Sequence, residues 1–417
     1  MGDVRPLGEE DLERFVTITA QAYPGLRAFS GEARKRVSDR YQQIYHEHDH
    51  AVLYGYYQRD ELLGGMILYD FTMNVLSVDM LAGGVGSVAV DLLHKKEKVA
   101  KELLSFFVRH YRQRGAAMTL LYPFRPDFYK QMGFGYGTRI NQYKCKPAAL
   151  PRKAVKQHLA YLSQEDMPDV LDCYHRYSRS RHGMIRRTAF DLMPYFRQPE
   201  NVLVGYRRKG VIRGYLIGQF QKRYDDHLLP NDLVVKELIY ETPEALLELC
   251  TFLHTQADQV NRIVINTQDD SFHHLLQDPR NDREHIIPSV FHESSVSGVG
   301  LMYRVVDAAR FYSILDAHDF GGQTCKLKLT LRDSFLPENE GSIILHVNDG
   351  RVTLVTEGEH DLEVRMDVSD FSPLVMGVVR FKQLYHYGLA ELSDPRQLDV
   401  VDRFFRTEEK PVCMTSF

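Results

Sequence analysis

The stretch VAVDLLHKKEKVAKELL, residues 88–104, constrains this chain more than any other. An apolar strand runs into a basic turn, His94-Lys95-Lys96-Glu97-Lys98, and then into a helix. The apolar positions Val99, Leu103, Phe106, Phe107 and Tyr111 recur at helical spacing over 98–114, which gives the helix one buried side. The first-turn amides of such a helix have no intrahelical partner and point toward any anion placed there. With lysines around it, the turn suits a pyrophosphate; on its own, KKEK is a common surface string and more often marks a solvated helix start.

The elements around this stretch set the fold class. Helical patterns at 9–22 and 31–47 precede three strand-like segments, AVLYGYYQ (51–58), LLGGMILYDFTM (62–73) and VLSVDMLAGGVGSVAV (75–90). After the helix come a strand MTLLYPF (118–124), a short helix over 127–132 and a strand over 134–146. The Pro- and Lys-bearing stretch KPAALPRKAVKQH (146–158) marks a boundary, so the first α+β domain is expected at 1–148. The same element order returns with strands NVLVGYRR, GVIRGYLIGQF, LVVKELIYE and RIVINTQ around a helix at 241–257, giving a second domain at 149–300. The duplication is visible in pattern and not in residue identity. A third α+β domain, 301–417, carries strands QTCKLKLTLRD, GSIILHVNDG and RVTLVTEG and then helices.

Composition excludes several classes. At 44% hydrophobic and 26% charged, the chain is of ordinary globular type. A net charge of −4 argues against a general nucleic-acid binder. No apolar run is long enough for a membrane span, and the N-terminal residues lack the apolar core of a secretion signal. The five cysteines are widely spaced with no CxxC pair, which fits reduced thiols in a cytoplasm and no zinc site. His46 and His50 have the spacing of one helix face, but no further ligands accompany them, so a solvated helix end is expected. His273-His274 is adjacent spacing that sends the rings to different sides. Asp225-Asp226 and Asp269-Asp270 read as turns. No P-loop, GxSxG or GxGxxG motif occurs.

The second informative stretch is LLYPFRPDFYKQMGFGYG (120–137), in which FYxxxGF sets a Tyr on a short helix that turns at glycine. Tyr129 taken alone could simply cover a core edge. A basic strand–turn–helix followed about 30 residues later by FYxxxGF resembles the GNAT superfamily of N-acetyltransferases. The whole chain resembles the enhanced intracellular survival (Eis) acetyltransferase branch. There, two GNAT-like domains, the second degenerate, precede a sterol-carrier-protein-like domain, and the chain ends in an aromatic residue, here Phe417.

The resemblance implies an N-acetyltransferase that takes acetyl-coenzyme A as cosubstrate and an amine as acceptor, with no metal. It assigns the general acid to Tyr129, and its helix-start position suggests a slightly lowered phenol pKa. It assigns the general base to the Phe417 carboxylate. Val88, Ala89 and Val90 would hold the pantetheine arm and the thioester carbonyl, and Lys95, Lys96, Lys98, Val99 and Ala100 the pyrophosphate. Lys98 departs from the pattern, standing where the first loop glycine is expected. In the second domain Glu241 and Glu244 stand at the equivalent place, so no coenzyme is expected there. The family also implies aminoglycoside-like acceptors and a hexamer. The alternative is a lipid or small-molecule carrier, built on the third domain, with vestigial GNAT domains.

Overall fold

The computed structural model describes all residues except 1, 154, 224–230, 282–285, 288, 289 and 356; the Asp225-Asp226 turn lies outside them. The chain divides into two compact units. One is Met1–Gly137 with Leu301–Pro411 and Phe417, and the other is Thr138–Gly300 with Val412–Ser416.

The first stretch opens with β1 (Asp3–Pro6), α1 (Leu12–Ala22) and α2 (Gly31–Glu47). Then come β2 (Ala51–Gln58), β3 (Glu61–Val75), β4 (Val78–Val90), α3 (Val99–Gln113), β5 (Met118–Leu121), α4 (Pro126–Lys130) and β6 (Gly135–Tyr136). β2, β3 and β4 are antiparallel neighbours, whereas β4 and β5 are parallel, with α3 as the crossover between them. α3 forms where the sequence spacing expects it. It buries Val99, Leu103, Leu104, Phe107, Val108 and Tyr111 in one cluster with Leu63, Met66 and Leu121. Each such side chain contributes on the order of 1.5–3 kcal/mol on full burial.

The expected strand at 134–146 is two strands in two sheets. A Cβ on Gly135 would meet Ser369 O at 2.2 Å, and one on Gly137 would meet Leu301 O at 2.4 Å, so close backbone approach keeps β6 short. Past Gly137 the chain leaves the first sheet, and β7 (Ile140–Cys145) pairs in the second.

The second unit adds β8 (Leu159–Tyr161), α5 (Met167–Arg179), α6 (Ala189–Arg197), β9 (Asn201–Arg208), β10 (Val211–Lys222) and β11 (Asn231–Tyr240). It continues with α7 (Pro243–His254), β12 (Val260–Thr267), the hairpin β13 (Ile286–Ile287) and β14 (Phe291–His292), and β15 (Val296–Gly298). Its sheet runs β15-β7-β12-β11-β10-β9-β8. β11 and β12 are parallel across α7, the arrangement of β4, α3 and β5 repeated.

Back in the first unit, β16 (Met302–Val305) slots between β5 and β6, giving the order β1-β2-β3-β4-β5-β16-β6. After α8 (Ala308–Ile314) follow β17 (Cys325–Arg332), β18 (Gly341–Asn348), β19 (Arg351–Val355) and β20 (Leu362–Asp367). The described elements close with α9 (Val368–Val375), α10 (Phe381–His386), β21 (Ala390–Leu392) and α11 (Leu398–Phe404). This third sheet runs β19-β18-β17-β20-β21. Arg304 and Asp333 form a fully buried ion pair at 2.8 Å, and Asp333 also accepts from Leu336 N and Asn339 Nδ2. Among the described residues no helix is long and apolar enough to cross a membrane. Cys145, Cys173, Cys250 and Cys413 are buried and unbridged.

Candidate functional site

The site starts from an unfinished ladder. β4 and β5 pair from Ala82 and Met118 to Val85 and Leu121, where β5 ends. β4 continues to Val90, so residues 86–90 have no strand on that edge among the described pairings. On its other edge β4 carries a bulge: Gly65 faces Ala89 and Ile67 faces Gly86, so Ser87 and Val88 share one partner. Ser87 takes φ of 50°, a left-handed conformation that costs a non-glycine residue energy. Hydroxyls surround the bulge. Tyr23 donates to the Val88 carbonyl at 2.7 Å, and Tyr41, itself 2.9 Å from Thr19 Oγ1, hydrogen-bonds Ser87.

Beyond the strand, the loop is fixed from inside. Asp91 is buried, caps the turn at Leu93 N and pairs with Arg14 at 2.6 Å. The acidic member of the turn, Glu97, is engaged by His94 Nδ1 at 2.9 Å, a bond that raises the imidazole pKa. Lys95, Lys96 and Lys98 are exposed, Val99 is buried and Ala100 half-buried. Lys96 and Lys98 have φ of 68° and 67°. Lys98 is the N-cap of α3 and stands in the conformation a glycine would adopt without strain.

Tyr129 lies on α4, which arises where Arg125-Pro126 sets the helix start and Gly133, at φ of 82°, ends its turn. It is 6% exposed, against Phe128 and Phe134. Its pKa is not lowered, as the helix-start argument expects, but pushed up to about 12 by burial. Desolvation wins because Tyr129 is the fourth residue of a five-residue helix, where the dipole has little purchase. Tyr23 carries no motif and is absent from the sequence reading. Burial holds its phenol well above the ordinary value, and neighbouring Tyr129 adds to the effect.

Phe417, the last residue of the sequence, stands against the open part of β4. Its ring contacts Phe71 at 4.8 Å, Tyr122 at 5.3 Å and Tyr69 at 5.7 Å between centroids. A Cβ on Gly86 would stand 3.2 Å from the Phe417 main-chain carbon C, so this glycine leaves the space that group uses. Arg40 donates to Tyr69 Oη at 3.2 Å beside it. The first unit thus gathers Phe417 against the same strand whose bulge engages Tyr23, the neighbour of Tyr129.

Other expectations divide. α2 ends at Glu47, so His50 lies outside the helix and shares no face with His46. The rings of His273 and His274 are 4.1 Å apart, side by side on a tight turn rather than diverging. No group of three metal-ligating side chains occurs among the described residues. A cavity of about 530 Å³ in the first unit is lined by Asp127, Lys130, Asp367 and Asp370, but by neither Tyr129 nor Phe417. In the second unit Glu241 pairs with Arg176 and Arg213, while Thr242 caps α7 at Ala245 N with Pro243 following. That helix start is occupied by the chain's own polar groups.

Comparison with known proteins bears on the domains and the fold. An acetyltransferase (GNAT) domain family matches residues 3–137, a second acetyltransferase (GNAT) domain family matches 183–305, and a sterol carrier protein domain family matches 311–414. No curated protein matches the chain. Among solved structures, a GCN5-related N-acetyltransferase from Anabaena variabilis is similar over 100% of both chains, with 16% identity and a TM-score of 0.82. A GCN5-related N-acetyltransferase from Kribbella flavida is similar over the same extent at 17% identity and a TM-score of 0.78. Eis1 from Mycobacterium abscessus is likewise similar over 100% of both chains, at 19% identity and a TM-score of 0.76.

Proposed function

We propose that this chain, which carries two acetyltransferase (GNAT) domains followed by a sterol carrier protein domain, is an acyltransferase of the Eis type that moves an acetyl group from acetyl-coenzyme A to an amine in its first domain. The observation that carries the reading is the open edge of β4 after Val85, with the Phe417 carboxyl group at Gly86. An extended pantetheine arm can add to that edge as a strand does, using the main chain of Val88, Ala89 and Val90. The first-turn amides at Val99 and Ala100, with Lys95, Lys96 and Lys98, suit the pyrophosphate.

In this reading the neutral amine nitrogen attacks the thioester carbonyl carbon, and the carbon–sulfur bond breaks. The Val90 amide meets the negative charge that develops on the carbonyl oxygen; one such donor is worth about 3 kcal/mol in other enzymes. The amine proton passes to the Phe417 carboxylate, directly or through a water. The Tyr129 phenol protonates the leaving sulfur. With its pKa pushed up to about 12, Tyr129 stays protonated across the neutral and mildly alkaline range. The acceptor class is an amine, aminoglycoside-like or simpler, and in this reading the enzyme is cytoplasmic and hexameric.

The alternative, a carrier role for the third domain, gains no support from the small cavity lined by Tyr312, His318, Phe320 and Phe404, which measures about 10 Å³ and holds one water at most. The experiment is thiol release from acetyl-coenzyme A against kanamycin-type, neomycin-type and simple diamine acceptors. Amine-dependent release supports the proposal. Release that no amine stimulates, together with thermal stabilisation by fatty acids and not by acetyl-coenzyme A, refutes it.

A further inference from the structure

The open edge of β4 has two ends. Past Val90 lies the basic turn that suits a pyrophosphate. At the other end stand Gly86 and Ser87, and the strand puts Gly86 about 13 Å from Val90 at an extended rise. An anion bound near Gly86 is therefore not the coenzyme's pyrophosphate.

α2 is anchored at this second end. Its Tyr41 hydrogen-bonds Ser87 and lies 2.9 Å from Thr19 Oγ1. The residue before it, Arg40, donates from Nη2 to Tyr69 Oη at 3.2 Å. The Tyr69 ring faces Gly86, with Cε2 3.2 Å from where a Cβ would stand, and it stacks on Phe71 with centroids 5.5 Å apart. One phenol ring thus separates the Arg40 guanidinium from the open strand.

The charges here have one sense. Arg40 is exposed and forms no ion pair among the described residues. Arg36, one helical turn earlier on the same face, forms none either, although Glu32 and Asp39 share the helix. Like charges at this spacing repel. The carboxylates that neighbouring elements contribute are already engaged. Glu13 of α1 is held by Arg34 at 2.8 Å and by Ser38 at 2.7 Å, Asp91 after β4 by Arg14 at 2.6 Å, and Asp127 of α4 by Arg125. A fixed cation beside engaged carboxylates is the reverse of what a polycationic acceptor needs. An apolar wall stands nearby. Phe124 is 70% exposed, yet its ring meets Tyr23 edge-on at 5.8 Å, and Tyr23 donates to the Val88 carbonyl. An open aromatic ring at a concave edge suits the methylene stem of a ligand.

We propose that Arg40 is a specificity-determining residue that binds a carboxylate on the acceptor, so that the acceptor is an amine carrying an acidic group across a short apolar stem and not a polycation. The inference rests on the reading that this edge serves acetyl transfer to an amine, and it narrows the amine. A guanidinium presents several N–H donors in a planar fork. The bond to Tyr69 steadies the fork and leaves the other donors for a two-point grip on a carboxylate. The amine at the far end of the stem then meets the thioester carbonyl.

The test is acetyl transfer by the full-length protein to ω-amino acids from glycine to 6-aminohexanoate, each against the amino alcohol and the diamine of matching length. Hydrogen bonds to a charged group discriminate by about tenfold or more. The best amino acid should therefore exceed its alcohol at least tenfold in kcat/KM, mainly through KM, and its diamine by more. Arg40→Met should bring that ratio below about threefold with KM for acetyl-coenzyme A within twofold, and Arg40→Lys should keep part of it. Tyr69→Phe, which keeps the ring on Phe71, should lower the ratio severalfold. Calorimetric titration with the N-acetylated amino acids, which carry the carboxylate and no amine, reads the same grip without turnover; Arg40→Met should abolish the binding. Amines accepted without a carboxylate preference, or a preference that survives Arg40→Met, overturn the proposal and leave the acyltransferase reading standing. Binding that Arg40→Met abolishes, with transfer to no amine, supports the carboxylate site and overturns that reading. Neither binding nor transfer overturns both.

Discussion

Lys98→Gly separates what the loop backbone needs from what the ammonium does. Lys98 holds φ of 67° at the N-cap of α3. The left-handed conformation costs a residue with a Cβ about 1–2 kcal/mol. Glycine removes that strain but gains about 0.4–1 kcal/mol of unfolded-state entropy. The net is a stabilisation of about 0.5–1 kcal/mol, or roughly 1–4 °C in the melting midpoint at about 2–4 °C per kcal/mol for a unit of this size. The lost ammonium is solvent-exposed, worth about 0.2–1 kcal/mol toward a phosphate, so KM for acetyl-coenzyme A should rise about 1.5- to 5-fold. Lys98→Ala is the control: it loses the charge and keeps the strain, so KM rises alike while the midpoint does not. Calorimetry with steady-state kinetics on both variants reads the two effects. A midpoint that falls in Lys98→Gly, or rises equally in Lys98→Ala, refutes the strain argument.

Three further outcomes follow from the same geometry. Gly86→Ala puts a methyl group 3.2 Å from both the Phe417 carboxyl carbon and Tyr69 Cε2; kcat should fall severalfold with KM for acetyl-coenzyme A unchanged, and an unchanged kcat would separate the carboxyl group from the reaction. Deleting Phe417 should lower kcat most at neutral pH and progressively less as pH nears the amine's own pKa of about 10, because the free amine no longer needs a base; a loss independent of pH, read from the pH–rate profile, contradicts that role. Asp333→Ala leaves the buried Arg304 guanidinium uncompensated and should cost about 3–5 kcal/mol in a denaturant titration; a loss under 1 kcal/mol would show that water reaches the pair.

What the sequence made legible was local. Residues 31–47 carry their own helical spacing, and the basic turn and FYKQMGFGYG announce themselves within a dozen residues each. What it hid was pairing at a distance. β16 is four buried residues, Arg304 among them, and only β5 and β6 on either side make it a strand. β20 pairs in parallel with β17, a crossover no local pattern reports. Residues 134–146 read as one strand in sequence; glycine contacts with Ser369 and Leu301 divide it. In the site, Phe417 could be singled out as the chain end but not set beside Gly86. Tyr23 could not be found at all, since its partner Val88 is 65 residues away. The direction of the Tyr129 shift was missed because burial, and not helix position, sets it.

The most direct test of the account is the steady-state kinetics of Tyr129→Phe with acetyl-coenzyme A and an accepted amine. The phenol is buried, its pKa is high, and the variant removes one oxygen while keeping the ring against Phe128 and Phe134. The account predicts a kcat at least tenfold lower, with acetyl-coenzyme A still binding at the parent's affinity. An unchanged kcat would contradict it.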